Sequence, residues 1–176
     1  MGVKIGVITI SDRASKGIYE DKSGPAIKDW LKKTISSEYE IEYRIIEDGV
    51  ESVSQSLIEL CDKNGVDLIL TTGGTGPSPR DLTPEAMAIV AQKELPGFGE
   101  LMRQVSLLEV PTAILSRQSA YIRGKSLIIN LPGKPASIGT CLNAVFPAVP
   151  FCLDLIEAGR IETHDEVLKS FRPKNK

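Results

Sequence analysis

Apart from Lys4 and Gly6, apolar and β-branched residues fill positions 3–10, which is typical of a strand buried on both faces of a parallel sheet. Shorter apolar runs predict four further strands, at 41–46, 66–71, 113–115 and 126–130. Between the strands, apolar residues recur at helical spacing, as in Ile27, Leu31 and Ile35. The same spacing predicts helices over 53–61, from 83 onward, over 97–110, and from 135 to about 158 with breaks at Pro147 and Pro150.

The predicted helices carry recognisable end signals. Ser23 and Thr83 are predicted as N-caps, with Pro25 and Pro84 in the first turns, and Gly65 can end the helix before the third strand. Strands that alternate with helices across short loops predict an α/β fold, a three-layer α/β/α sandwich with a mainly parallel sheet. We expect one domain over residues 1–176, with a polar and weakly patterned C-terminal tail at 160–176.

Composition narrows the function classes. The chain has 176 residues with 21 Lys and Arg against 23 Asp and Glu, so its net charge of −2 offers no general attraction for nucleic acid or anionic lipid. Three unpatterned cysteines and a single histidine, His164, cannot form the usual zinc sites and suggest a reducing compartment. We see no leader sequence and no segment near the roughly 20 apolar residues that span a bilayer. The sequence therefore predicts a cytoplasmic protein with no nucleic-acid or membrane partner.

Polar and glycine-rich segments follow the predicted strands. Ligands bind beyond the carboxyl ends of strands in open parallel sheets, because loops and helix N-termini converge there. The segments in question are Ser11-Asp12, Asp48, the loop 73–76 with Asp81, Ser116-Arg117, and 132–134. We expect these segments to form one site.

Gly73-Gly74-Thr75-Gly76 is the most informative of these segments. Its glycines allow the backbone amides to approach an anion, and the threonine hydroxyl adds a donor, so the loop suits phosphate. It is neither a Walker A loop nor a dinucleotide-binding G-x-G-x-x-G. The alternative is that the glycines only form a strand-to-helix turn.

Asp48 and Asp81 are candidate magnesium ligands. Two carboxylates beside a phosphate loop are the oxygen ligands that Mg²⁺ prefers when it bridges protein and nucleotide. The alternative is a turn role for both, or supplementary capping for Asp81. Arg80, Arg117 and Lys134 could balance phosphate charge, or could simply be solvated.

At this point the chain resembles the MogA branch of the MogA/MoaB family of molybdopterin adenylyltransferases, whose fold also forms a domain of gephyrin. The matching segments are SD at 11–12, DKSGP at 21–25, TTGGTGPSPRDLTP at 71–84, PGFGE at 96–100, TAILSR at 112–117 and NLPGKP at 130–135. The resemblance implies ATP-dependent transfer of AMP to molybdopterin with Mg²⁺, in a homotrimer, with a molybdenum-insertion enzyme as a possible partner.

The resemblance also implies roles for particular residues. Asp48 and Asp81 look like the family's two functional aspartates, and we assign them to catalysis and Mg²⁺. The remaining assignments are nucleotide and phosphate binding by Ser11, Gly73, Gly74, Thr75, Gly76, Pro132, Gly133 and Lys134, and molybdopterin binding by Ser116 and Arg117. Two other functions stay open: a non-catalytic molybdopterin carrier, and a nucleotide pyrophosphatase resembling CinA-like domains.

Overall fold

A six-stranded sheet forms the centre of the computed structural model, which describes residues 2–174. Within these residues the strand order is β2-β1-β3-β6-β5-β4. The strands are β1 (Val3–Ile10), β2 (Tyr39–Ile46), β3 (Leu68–Thr72), β4 (Lys93–Leu95), β5 (Ala120–Arg123) and β6 (Ser126–Leu131). The pairings of β1 with β2, β1 with β3, and β3 with β6 are parallel, and those of β5 with β4 and β6 are antiparallel.

Helices cover both faces of the sheet. The helices are α1 (Asp12–Ser15), α2 (Ser23–Thr34), α3 (Val50–Ile58), α4 (Thr83–Val90), α5 (Pro96–Leu107), α6 (Pro135–Val145) and α7 (Val149–Leu155). Helices α2, α5, α6 and α7 pack on one face, against side chains such as Ile5 and Leu70. Helices α3 and α4 pack on the other, against Ile8 and Ile69. The predicted three-layer α/β/α sandwich with a mainly parallel sheet is therefore confirmed.

Three features differ from the prediction. Residues 113–115 belong to a 3₁₀ helix, Pro111–Leu115, and not to a strand. Pro111 sets a helical φ at its start, and Ile114 and Leu115 are exposed, so their apolar character does not reflect a sheet core. The edge strand β4 and its neighbour β5 are not predicted from the sequence, because each is short and β4 contains two charged residues.

The C-terminal segment returns to the body of the protein. Ile161 and Leu168 are buried in the core. The His164 amide donates a hydrogen bond to the Thr34 carbonyl (2.8 Å), and the Arg172 guanidinium bonds to Asp154. The described part of the polar tail is thus packed against α2 and α7.

The sequence analysis found no segment long and apolar enough to span a membrane, and the structure corrects this. Pro135–Leu155, which comprises α6, the 3₁₀ turn Phe146–Ala148 and α7, is long and apolar enough to span a membrane by length and composition. Its side chains Ile138, Leu142 and Leu153 are buried against the sheet. Core helices also meet this criterion, so length and composition do not distinguish the two environments here.

Candidate active site

The glycine-rich loop leaves β3 in a conformation that only glycine adopts readily. Gly73 has φ of 101° and Gly74 has φ of 68°. A Cβ on Gly73 would lie 2.3 Å from the Ile10 carbonyl oxygen, and one on Gly74 would lie 2.3 Å from Thr83 Oγ1. The loop is therefore held close to the end of β1 and the start of α4, with no room for side chains.

The hydroxyls of Thr83 and Ser23 fix loops and do not cap helices, which corrects both N-cap predictions. Thr83 Oγ1 donates to the Gly73 carbonyl at 3.0 Å. Ser23 Oγ donates to the Gly133 carbonyl at 2.8 Å, and it is the Asp21 carboxylate that accepts the Ser23 and Gly24 amides at the start of α2. Asp21 therefore caps the start of α2, and the Ser23 hydroxyl instead links α2 to the loop after β6.

Asp48 is anchored at the carboxyl end of β2 by a reciprocal pair of hydrogen bonds. Its Oδ2 accepts the Asp12 amide at 3.0 Å, and its own amide donates to Asp12 Oδ1 at 3.0 Å. The other oxygen of Asp48 faces the glycine loop, 3.5 Å from the position that a Cβ on Gly74 would occupy. This arrangement joins the ends of β1 and β2 and directs one carboxylate oxygen to the loop.

Asp81 lies beside Gly76, at the end of the same loop. Its Oδ2 accepts the Ser78 amide at 3.1 Å, and a Cβ on Gly76 would lie 2.7 Å from this oxygen. Burial and the negative charge of Asp81 raise the pKa of Asp48, while a backbone hydrogen bond opposes the rise. Two mutually repelling carboxylates beside a glycine loop form an arrangement that a bound cation would stabilise. No group of three His, Cys, Asp or Glu side chains suited to a metal occurs among residues 2–174.

A cavity of about 360 Å³ opens beside the glycine loop. Thr75 and Gly76 line one side, Pro132 and Lys134 line another, and Ser116 lies in the wall formed by the chain between α5 and β5. Thr72 Oγ1 donates to the Pro132 carbonyl at 2.8 Å and holds the loop after β6 in place. This volume lies in the range typical of small-molecule sites.

A second, smaller cavity of about 170 Å³ lies on the other side of the loop. Ser11, Gly73 and Gly133 line it. Ser11 Oγ accepts the Ala14 amide at 3.2 Å and caps α1. The structure thus places Ser11 and Gly133 in one cavity and Ser116 and Lys134 in the other, with the glycine loop between them.

Arg117 lies at the site, but its guanidinium is engaged by the protein. Nε donates to the Gly76 carbonyl at 3.0 Å, Nη2 donates to the Asp81 carbonyl at 2.7 Å, and the group pairs with Glu85. The Arg117 amide also donates to the Thr75 carbonyl at 2.8 Å. These contacts brace the loop that carries Asp81. Arg80 pairs with Asp12.

The sequence places Asp12 in the expected site and Asp21 in a matching segment but indicates no role for either, and it gives no signal for Gln118. Asp12 and Asp21 lie in segments that follow or flank a strand end, and this position does not distinguish a residue that anchors a loop from one that binds a ligand. Gln118 follows Ser116 and Arg117 directly, and it is almost fully buried, with 2% of its surface exposed. A polar residue between two predicted elements gives no sequence signal of burial.

Tyr43 offers a test of the anchor around Asp21. Tyr43 donates its hydroxyl proton to Asp21 Oδ2, which also accepts from Thr9 at 2.8 Å. Burial and the Asp21 carboxylate raise the pKa of Tyr43 to about 12. Since the folded pKa lies above the ordinary value of 10.0, the contribution of this bond is complete below pH 10 and is lost as pH rises toward 12.

We therefore expect Tyr43→Phe to lower the free energy of unfolding by about 1 kcal/mol at pH 8, the usual net value of one hydrogen bond. The difference from the wild type should shrink between pH 10 and 12. Urea unfolding of both proteins across this pH range measures the difference in free energy of unfolding. The ionisation of the other tyrosines affects both proteins equally and cancels. A difference that stays constant through pH 12 would contradict the assignment.

Substitution of Gly74 tests whether the loop binds nucleotide phosphate. Gly74→Val adds a branched side chain that would meet Thr83, so we expect ATP affinity to fall at least about tenfold. Gly65→Val is the matched control, because Gly65 has a comparable φ of 61° and no neighbour within 4 Å. Calorimetric titration with ATP distinguishes the two. Equal ATP affinities in folded variants would place the phosphate site elsewhere.

Together the loop, the carboxylates and the cavities define an α/β domain with a candidate small-molecule site at the carboxyl ends of its parallel strands. Residues 6–150 match the family model described as probable molybdopterin binding domain. The chain belongs to this family, and the resemblance drawn from its motifs is confirmed.

Individual relatives agree over nearly the whole chain. The molybdopterin adenylyltransferase of Helicobacter pylori is 58% identical over 172 residues, which cover 98% of this chain and 98% of that protein. The enzyme of the same name from Escherichia coli is 48% identical over 185 residues, covering 98% and 95%. Among solved structures, the molybdopterin biosynthesis enzyme MoaB from Thermus thermophilus matches with a TM-score of 0.82 and 38% identity, covering 91% of this chain and 99% of that one.

Proposed function

We propose that this chain acts in molybdenum cofactor biosynthesis as a nucleotidyltransferase. It transfers AMP from ATP to the terminal phosphate of molybdopterin and yields adenylyl-molybdopterin and pyrophosphate. The observation that carries this proposal is the convergence of Asp48, Asp81 and the glycine loop beside a cavity large enough for a small molecule. The nearly full-length similarity to molybdopterin adenylyltransferases supports the same activity.

The nucleophile is an oxygen of the molybdopterin phosphate, which attacks the α-phosphorus of ATP. The new bond joins the two phosphorus atoms through this oxygen, the bond between the α- and β-phosphates breaks, and pyrophosphate leaves. A phosphate monoester has a second pKa near 6 and is largely dianionic at neutral pH, so no general base is needed. The main barrier is the repulsion between anions.

The residues around the loop reduce this repulsion. We assign nucleotide phosphate binding to the loop Gly73-Gly74-Thr75-Gly76. The Gly73 amide donates to the Leu131 carbonyl at 3.3 Å, so the amides that approach the anion are those of the three residues that follow. Lys134 is exposed at the rim of the larger cavity and supplies positive charge. Ser11, Pro132 and Gly133 complete the phosphate site, and Ser116 lines the cavity assigned to the pterin.

We assign Arg117 to molybdopterin binding, but in an indirect role. Its guanidinium donates to the carbonyls of Gly76 and Asp81 and so stabilises the loop beside the cavity. Its role is then to hold the Asp81 segment in position between the nucleotide loop and the cavity. Direct contact with substrate would require it to give up the pairing with Glu85.

Asp48 and Asp81 fit a magnesium ion. They offer oxygen donors beside Gly74 and Gly76 of the loop, and a cation would relieve their mutual repulsion. When bound, Mg²⁺ neutralises phosphate charge and orients the phosphates for in-line displacement. Asp12 keeps one oxygen of Asp48 occupied and so fixes the direction of the other.

The decisive experiment mixes the protein with ATP, Mg²⁺ and molybdopterin and follows adenylyl-molybdopterin and pyrophosphate. A carrier would bind molybdopterin and form no product. A pyrophosphatase would release AMP without molybdopterin. Both alternatives are less favoured, because a carrier has no need of the paired aspartates and the similarity to named adenylyltransferases runs along nearly the whole chain.

We further propose a cytoplasmic homotrimer that passes its product to a molybdenum-insertion enzyme. Cys61, Cys141 and Cys152 are free thiols, which supports a reducing compartment. Exposed apolar side chains at Leu108 and Ile114 support self-association. Light scattering of the purified protein gives the subunit number, and a monomer would contradict this part of the proposal.

A further inference from the structure

Gln118 lies in the wall of the 360 Å³ cavity and carries an unpaired polar atom. Only 2% of the residue is exposed, and among the described residues its Oε1 has no hydrogen-bond partner. Leaving a buried acceptor unpaired destabilises the folded protein. A ligand that donates a hydrogen bond to this oxygen would remove the cost, so an unpaired acceptor in a cavity wall indicates a ligand contact.

The rest of Gln118 is held firmly. Its carbonyl oxygen accepts from Arg103 Nη1 at 2.7 Å, and its amide donates to Ser116 Oγ at 3.4 Å. A Cβ on Gly99 would lie 2.3 Å from the same carbonyl, so α5 packs directly against this backbone. The side chain is thus presented from a rigid support, which favours specific recognition.

The Gln118 carboxamide is also constrained by its neighbours. Nε2 lies 3.8 Å from Cys141 Sγ, which in turn lies 3.6 Å from Ser106 Oγ. Rotation of the carboxamide by 180° would place its oxygen against the thiol and leave the NH₂ group unpaired instead. In either orientation one group of the carboxamide is left without a partner, an acceptor in one case and a donor in the other.

We infer that Gln118 recognises the aminopyrimidinone edge of the pterin ring, an inference that rests on the proposed function. This edge carries an amino group, a ring N–H and a carbonyl oxygen, so it offers both donors and an acceptor to a carboxamide. The apolar side chains of Val110 and Leu115 line the same cavity and suit the flat ring. Thr75 and Lys134 line it as well, next to the proposed phosphate site.

The test compares pterin with lumazine, in which an oxo group replaces the 2-amino group, as competitors for bound molybdopterin. Wild-type protein should bind pterin at least about tenfold more tightly, since a site built for a donor rejects an analogue that lacks it. Gln118→Met, which keeps the length of the side chain, should bring this ratio close to one and weaken molybdopterin binding about tenfold with ATP affinity unchanged. Gln55→Met, on the exposed face of α3, is the matched control.

Two results would overturn the inference. One is a wild-type protein with no preference between pterin and lumazine, which needs no variant to establish. The other is a folded Gln118→Met that keeps the wild-type ratio and molybdopterin affinity. If either occurs while wild-type protein still adenylylates molybdopterin, only the role of Gln118 is wrong. Wild-type protein that neither binds nor adenylylates molybdopterin would overturn the proposed function together with it.

Discussion

Asp81→Asn is expected to lower the rate of AMP transfer at least about a hundredfold while the fold remains intact, by analogy with the loss of one charge-stabilising group in other active sites. The substitution removes a charge but keeps an oxygen that can accept the Ser78 amide. The carboxylate is partly exposed and lies outside the core, so little packing is lost. Product formation and thermal unfolding, measured on the same preparation, test both halves of the prediction.

Asp29→Asn is the control for this substitution, because Asp29 is exposed on α2 and receives the same chemical change. It should keep the wild-type rate and melting temperature. If Asp81→Asn instead keeps near-normal turnover and melts several degrees lower, then Asp81 serves only the turn with Ser78, as the alternative interpretation of the sequence holds.

The central parallel strands β1, β3 and β6 could be predicted because they are buried on both faces and their sequences are mostly apolar. Residues 3–10 were predicted as a strand with the bounds that the structure has. The antiparallel edge could not be predicted in this way. Lys93 and Glu94 of β4 are exposed, and the 3₁₀ helix at 111–115 contains exposed Ile114 and Leu115. Apolar residues predict a buried strand only where the segment packs in the core, because exposed segments can also contain apolar residues.

The candidate site shows a similar division. The sequence predicts that Asp48, Asp81 and the glycine loop lie at one edge of the sheet, because each follows a strand and the carboxyl ends of parallel strands meet there. Which carboxylate oxygen of Asp48 accepts a hydrogen bond from the protein, and which is left for a ligand, depends on contacts between residues far apart in the sequence. Asp12 and Asp48 are 36 residues apart, and Arg117 reaches Gly76 across 41 residues. Such contacts leave no periodic trace in the sequence.

Asp48 gives the sharpest test of how the two aspartates act. If Asp48 holds Mg²⁺, Asp48→Ala should raise the Mg²⁺ concentration needed for half-maximal rate at least about tenfold, because even residues that only support metal ligands commonly cost 10–100-fold in affinity. A lost general base would instead lower the maximal rate at every Mg²⁺ concentration. Rates measured over a wide range of Mg²⁺ distinguish the two roles.

The pH profile supplies an independent measurement of the same question. A phosphate nucleophile should give a rate that rises as its second proton leaves, near pH 6, and then stays flat. Burial and Asp81 raise the pKa of Asp48, so at low pH a proton competes with Mg²⁺ for this carboxylate and the Mg²⁺ requirement of the wild type should rise as pH falls. In Asp48→Ala this dependence should weaken while the rise near pH 6 remains. A variant with the wild-type Mg²⁺ requirement that has lost one ionisation from its profile would identify Asp48 as the base.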